Sequence, residues 1–275
     1  MSSSTVSSPA PLASAAKAAT NPPKLGTFLP RFIVGAVILL AWEFVVRALA
    51  PPYVAKPSTV LLAIPHVIAD PAFQRATGNT LAAVAGGLAI ALVAGTVIGL
   101  LMGRSQMFER SFRHYVNGFY AMPMIVVLPL FSLWFGYSGA TRIATIIFAA
   151  IFSIIINVAD GARSVPRDYL EVARSFRANR LSMLTGIVLP SSMPYLLAGF
   201  RLAAGRALIG AVVAEFFLSI GGLGYFILYN SRSYRHSDAF VGVLLLAAFG
   251  VGFELLVFWC TKHFMPWYRR EDKAS

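Results

Sequence analysis

The stretch SVPRDYLEVARSFRANRLSMLTGIVLPSSMPYLLAGFRLAAGR, Ser164 to Arg206, decides how the rest of the chain is read. It is the one long polar interruption in the apolar half of the sequence, and it is patterned. Pro166 suits the first turn of a helix, where its missing N–H costs nothing, and Asp168 and Glu171 fall near the positive end of the helix dipole. Leu170, Ala173 and Phe176 recur at helical spacing on one face, with Arg167, Arg174 and Arg177 around the rest. Asn179 is placed to cap a second short helix through Leu181, Leu184 and Ile187. Pro190 and Pro194 are expected to break that helix before the next apolar run. Two short amphipathic helices between apolar runs make a docking surface for a partner, although their spacing alone also fits a solvated loop.

Composition sets the class. The chain of 275 residues is 57% hydrophobic and 12% charged, about half the charged fraction of soluble domains. Its net charge of +12 is scattered between apolar runs rather than gathered into a patch, so basic membrane-flanking loops explain it better than nucleic acid does. Cys260 is the single cysteine, which excludes an internal disulfide, and no Cys/His spacing suits a metal. None of the five lysines follows a glycine, so the phosphate-gripping Gly-Lys-Ser/Thr loop is missing. His66, His114, His236 and His263 are widely separated, and no catalytic triad or carboxylate pair emerges from spacing. The chain does not read as an enzyme.

Six apolar segments are expected to cross a membrane, in an all-α integral membrane protein. They run about 32–49, 80–103, 115–135, 143–159, 193–220 and 239–259, each near the ~20 residues that span hydrocarbon. The third carries Met122-Pro123 and Leu128-Pro129, which should kink it and free carbonyls that need a cavity or neighbouring donors. Lys17, Lys24, Arg31, Arg104, Arg110, Arg113, the loop arginines from Arg163 to Arg180, and the C-terminal Lys262, Arg269, Arg270 and Lys273 fall on one side. Arg47, Lys56, Arg75, Arg142, Arg232 and Arg235 fall on the other. That bias puts both termini and the patterned loop in the cytoplasm. Residues 1–29 read as a disordered cytoplasmic tail, and their lack of an apolar core after a basic start argues against a secretory signal. The first span and a periplasmic segment follow (30–75), then the main transmembrane domain (76–262) and a cytoplasmic C-terminal tail (263–275).

Glu171-Val172-Ala173 followed by Ile187-Val188-Leu189-Pro190 resembles the cytoplasmic "EAA" loop of bacterial ABC-importer permeases. With Gly199-Phe200-Arg201-Leu202, Ala214-Glu215 and Gly221-Gly222-Leu223-Gly224-Tyr225, the resemblance runs from about residue 75 to the C-terminus and looks like the nitrate/sulfonate/taurine branch. It implies a permease that catalyses no bond-breaking and binds no cofactor, with ATP held by another subunit. The implied partners are a second copy of the chain, two cytoplasmic ATP-binding subunits, a periplasmic substrate-binding protein and membrane lipid. The implied place is the bacterial inner membrane, and the implied cargo a small anion: an aliphatic or aromatic sulfonate, taurine or nitrate. In the loop, Glu171 would be the polar contact, Ala173 the close-packing position, and Leu170 and Phe176 the apolar anchors. Arg174, Arg177, Leu189 and Pro190 complete the coupling segment. Where the family pattern has glycine, this chain has Arg177, which lacks glycine's freedom at positive φ. The bend is therefore expected to be made differently or at Ala178-Asn179.

Charges within spans are expensive unless they face a cavity or a partner. Arg201 and Arg206 either attract an anion to the pathway or, in the preferred reading, snorkel and pair with a neighbouring helix. Glu43 and Arg47 form a self-satisfied pair at i,i+4, and Glu254 has no assignment. Gly95, Gly99 and Gly103 clear one helix face for close packing within the subunit. Met122, Pro123, Arg201, Arg206, Glu215, Gly221 and Gly224 are the candidate pathway or gate residues, with the glycine run read as a turn. An ion-coupled secondary transporter is the alternative; it would need paired repeats and buried mid-membrane acids, for which Glu215 is the one fair candidate.

Overall fold

In hydrocarbon a backbone must satisfy its own polar groups, and runs as apolar as these do so as helices. The computed structural model describes residues 28–51 and 54–264, and no strand occurs among them. The chain divides into two units, 1–52 and 53–275. The first holds α1, Phe28–Leu49, where Arg47 Nε donates to Glu43 at 2.5 Å in the expected intrahelical pair. The second contains α2 (Pro57–Ala69), α3 (Pro71–Arg104), α4 (Gln106–Ala121), α5 (Met124–Phe135) and α6 (Gly139–Arg163). It continues with α7 (Arg167–Ser175), α8 (Arg180–Met183), α9 (Leu189–Leu218), α10 (Leu223–Arg232) and α11 (His236–Phe264).

The centre of the second unit is α6, packed between α3 and α9. Its buried ridge of Ile146, Ala150, Ile154 and Val158 meets Ala83, Val84, Leu88 and Ala91 of α3 on one side. Ala203, Ala204, Ala207 and Ala211 of α9 meet it on the other. The glycine stripe makes the approach possible: a Cβ at Gly95, Gly99 or Gly103 would lie 3.0, 2.8 or 2.5 Å from Ile154, Val158 or Ala162. Between helices in lipid such close van der Waals contact, not water exclusion, supplies the attraction. The stripe is thus an internal seam, as its spacing predicts. A second cluster gathers Val60, Ala63 and Val67 of α2 with Phe73, Leu223 and Val241. Helix α2 was not foreseen in the segment read as periplasmic; at 13 residues with an internal Pro65 it carries too weak a periodic signal.

Four stretches among the described residues are long and apolar enough to cross a membrane: α3, α6, the continuous run Arg180–Leu218, and α11. The pair α4 and α5 makes a fifth if its two halves, bent by 102°, are counted as one span. To reach the expected six, α1 must be added. The bend sits at Met122-Pro123, where proline drives the preceding residue out of the helical region and Met122 is extended at ψ 129. Pro129, expected to interrupt the segment too, lies inside α5 without ending it. The basic loop expected before the third span is itself helical, beginning at Ser105, whose Oγ accepts from the Phe108 N–H at 3.3 Å. The tail read over 1–29 lies outside the described residues except for Phe28 and Leu29, which begin α1; that read over 263–275 lies outside them beyond Phe264.

Candidate functional site

The polar stretch folds into α7 and a turn that leads back into the membrane body. Asp168 occupies the first turn of α7 and Arg174 the last, each at the dipole end that favours its charge. One expectation is corrected. Leu170 is buried against Ala162, Val165 and Val188, with Leu184, Ile187 and Leu100 around it, so it anchors α7 to its own chain and is not offered to a partner. The outward apolar surface is Tyr169, Val172 and Phe176, the last 84% exposed. Glu171 and Arg174 are exposed and Ala173 half-buried.

The turn also differs from expectation. The bend is made at Arg177 itself, at φ +55. Arg177 N–H donates to the Arg174 carbonyl at 2.8 Å and Ala178 N–H to the Ala173 carbonyl at 3.0 Å, the bond pattern of a Schellman ending. Arginine therefore stands in the left-handed position that glycine fills more cheaply, and the two capping bonds hold it there. Asn179 does cap α8, its Oδ1 accepting from the Ser182 N–H at 2.7 Å.

Pro190 and Pro194 do not break the chain into a second short helix and a span. From Arg180 to Leu218 it runs on as one helix of 39 residues, with a π-helical turn at Leu184–Val188 between α8 and α9. A proline ring collides with the carbonyl four residues back; a π turn just before Pro190 widens the spiral and relieves that collision. Leu189 is half-buried and Pro190 exposed. Tyr169, Val172, Gly186, Ile187, Pro190 and Ser191 line an open groove of about 560 Å³. On α4 and α6, Arg163 joins Glu109 and Asp160, and Arg113 reaches Glu109 at 2.6 Å, tying the two helices together.

At the other end of the central helices lies a buried polar knot. Glu215 is 0% exposed. Its carboxylate accepts from Thr80 Oγ1 at 2.8 Å, from the Gly224 N–H at 2.8 Å and from Arg142 Nη1 at 3.2 Å. Thr80 Oγ1 in turn accepts from the Leu223 N–H at 2.8 Å, and Arg142 also donates to the Gly221 carbonyl at 3.2 Å. One carboxylate thereby joins α3, α6, α9 and the start of α10. The glycine turn is shaped around it: a Cβ on Gly222 would fall 2.1 Å from the Glu215 carboxylate, and one on Gly224 2.9 Å from the Val212 carbonyl. Gly221 has ordinary space and contributes its carbonyl instead. Of the candidate pathway residues, Glu215, Gly221 and Gly224 come together here. Thr80 and Arg142 escaped sequence reasoning; the cost of a lone acid in a span was the one hint that such partners exist.

The remaining candidates lie elsewhere. Arg201 pairs with Glu254 of α11, which gives that glutamate its role, and both side chains are more than half exposed. Arg206 lies 3.8 Å over the Tyr120 ring and donates to the Tyr120 carbonyl at 3.3 Å. With Met122 and Met124, which flank Pro123 at the bend, it lines a pocket walled by Phe119, Phe148 and Phe152.

Comparison with known proteins adds the following. A family described as "Binding-protein-dependent transport system inner membrane component" matches residues 91–270. The formylaminopyrimidine transport permease protein of Halalkalibacterium halodurans is 28% identical over 236 residues, covering 86% of this chain and 94% of that protein. The nitrate import permease protein of Synechococcus elongatus is 27% identical over 258 residues, covering 89% and 92%. The putative aliphatic sulfonates transport permease protein of Bacillus subtilis is 28% identical over 220 residues, covering 79% and 80%.

Proposed function

The chain belongs to the binding-protein-dependent transport system inner membrane components, and on that footing we propose that α7 and the groove beside it are where separate ATPase subunits grip and drive it. As a member it is an ABC-importer permease, a multi-pass inner-membrane protein and not an enzyme. In the proposed assembly a second copy of the chain completes the pathway, two ATP-binding subunits dock from the cytoplasm, and a periplasmic binding protein delivers the cargo. Both termini and α7 face the cytoplasm. Closure of the ATPase pair shifts the permease between two packings that open to opposite sides.

One observation carries this reading: Tyr169, Val172 and Phe176 stand exposed on a helix that Leu170 fastens from behind. A helix anchored on one face and bare and apolar on the other suits a partner better than it suits water. Glu171 supplies a polar contact at its rim, Ala173 lets a partner approach closely, and Arg174 and Arg177 flank it. The cargo is a small anion of the sulfonate, taurine or nitrate class. Relatives named for nitrate and aliphatic sulfonates support that class, while one named for formylaminopyrimidine marks the breadth of the family.

The test uses the chain co-expressed with ATPase and binding-protein partners and reconstituted into vesicles. Glu171→Ala and Ala173→Asp should each abolish ATP-driven uptake and lower ATPase co-purification about tenfold, with membrane insertion unchanged. Normal uptake and assembly in both variants overturns the assignment.

A further inference from the structure

Arg206 is a span arginine left without an acid. Arg142 has Glu215, Arg163 has Glu109 and Asp160, and Arg201 has Glu254, but Arg206 forms no ion pair among the described residues. Its one hydrogen bond goes to the Tyr120 carbonyl, while its guanidinium carbon lies 3.8 Å from the centroid of the Tyr120 ring. A guanidinium carries five N–H donors in its plane, and the carbonyl uses one of them. The edge thus keeps donors in the forked geometry that matches a carboxylate or sulfonate. Intramembrane arginine is tolerated where it meets a cavity or a counter-charge; here the cavity is present, and no acid pairs with Arg206 among the described residues.

The cavity has a shape and a chemistry of its own. It is a half-open pocket of about 270 Å³ at the bend between α4 and α5, with Phe119, Phe148 and Phe152 as walls and Met122 and Met124 at its edge. A dry apolar cavity of about 150 Å³ holds one benzene ring, so this one has room for a ring and a charged substituent. A bare inorganic anion would leave the phenylalanine walls unused. We propose that the pocket is a station for a single-ring aromatic anion, its ring among the three phenylalanines and its sulfonate or carboxylate on the in-plane N–H groups of Arg206. The proposal rests on the permease reading and narrows its cargo to anions with an aryl body.

Binding of radiolabelled benzenesulfonate to the purified full-length chain in lipid nanodiscs tests it. The expected result is saturable binding displaced by benzoate, with neutral benzenesulfonamide and nitrate at least tenfold weaker as competitors. Arg206→Gln should weaken binding at least tenfold, Arg206→Lys less, and Arg232→Gln, at an exposed position outside the pocket lining, not at all. Ile209→Trp gives an arm independent of the arginine: Ile209 lines the pocket yet is 62% exposed, so the larger ring fills the cavity without crowding the core and should abolish binding. Absence of saturable binding, or binding indifferent to both Arg206→Gln and Ile209→Trp, overturns the proposal. ATP-driven uptake that persists alongside such a result leaves the permease reading standing; loss of ATPase association by the unaltered chain sinks that reading alone, and the binding measurement still decides the pocket.

Discussion

The α7 segment and the Glu215 knot lie at opposite ends of the central helices and are built on opposite principles. The first is an amphipathic helix whose charges face outward and whose apolar residues are split, Leu170 inward and Tyr169, Val172 and Phe176 outward. The second hides an acid completely and surrounds it with donors from three other helices. In the proposed assembly one end is gripped and the other holds. Ions removed from water are stable only when every partner is in place, whereas an exposed charge near water contributes little. Damage at the two ends should therefore look different: lost stability at the knot, lost partnership at the docking face.

The largest effect should come from the knot. Glu215→Ala leaves the Arg142 guanidinium without its acid and should destabilise by about 3–5 kcal/mol, read as a lowered melting temperature of the detergent-solubilised chain. Adding Arg142→Ala should recover part of that loss, because the orphaned charge goes with it. Equal damage from the single and double variants would break the contrast. Next comes a comparison within α7. Leu170→Ala empties a buried site and should cost roughly 2 kcal/mol, while Phe176→Ala at an exposed site should change stability by less than about 0.5 kcal/mol. A Phe176 effect as large as that of Leu170 would show the two faces of α7 to be alike. One further change runs the other way: Arg177→Gly should raise stability by about 1 kcal/mol by relieving the left-handed arginine.

The two ends also differ in how far they could be read from sequence. The α7 segment announces itself locally: an apolar period, acids early and basic residues late, and Asn179 where a cap belongs all lie within a few residues of one another. The Gly95, Gly99, Gly103 seam is local in the same way. The knot is not. Thr80 lies 135 positions from Glu215 and Arg142 lies 73, and neither carries a mark of its partner. Periodicity puts Leu170 on an apolar side together with Phe176, but it does not show which neighbour claims each residue. Pro190 and Pro194 misled because proline normally ends a helix, and the π turn that absorbs the conflict has no composition of its own.

That uninterrupted run from Arg180 to Leu218 has a mechanical consequence. Its 39 residues, at about 1.5 Å each, make a bar roughly 58 Å long. It starts beside the groove and reaches the acid that pins the far turn. A bar of that length is a lever: tilting it by about 5° sweeps its distal end through roughly 5 Å, about one helical turn. If α7 is gripped as proposed, small displacements there arrive magnified where the four helices are tied, across the π turn at Leu184–Val188.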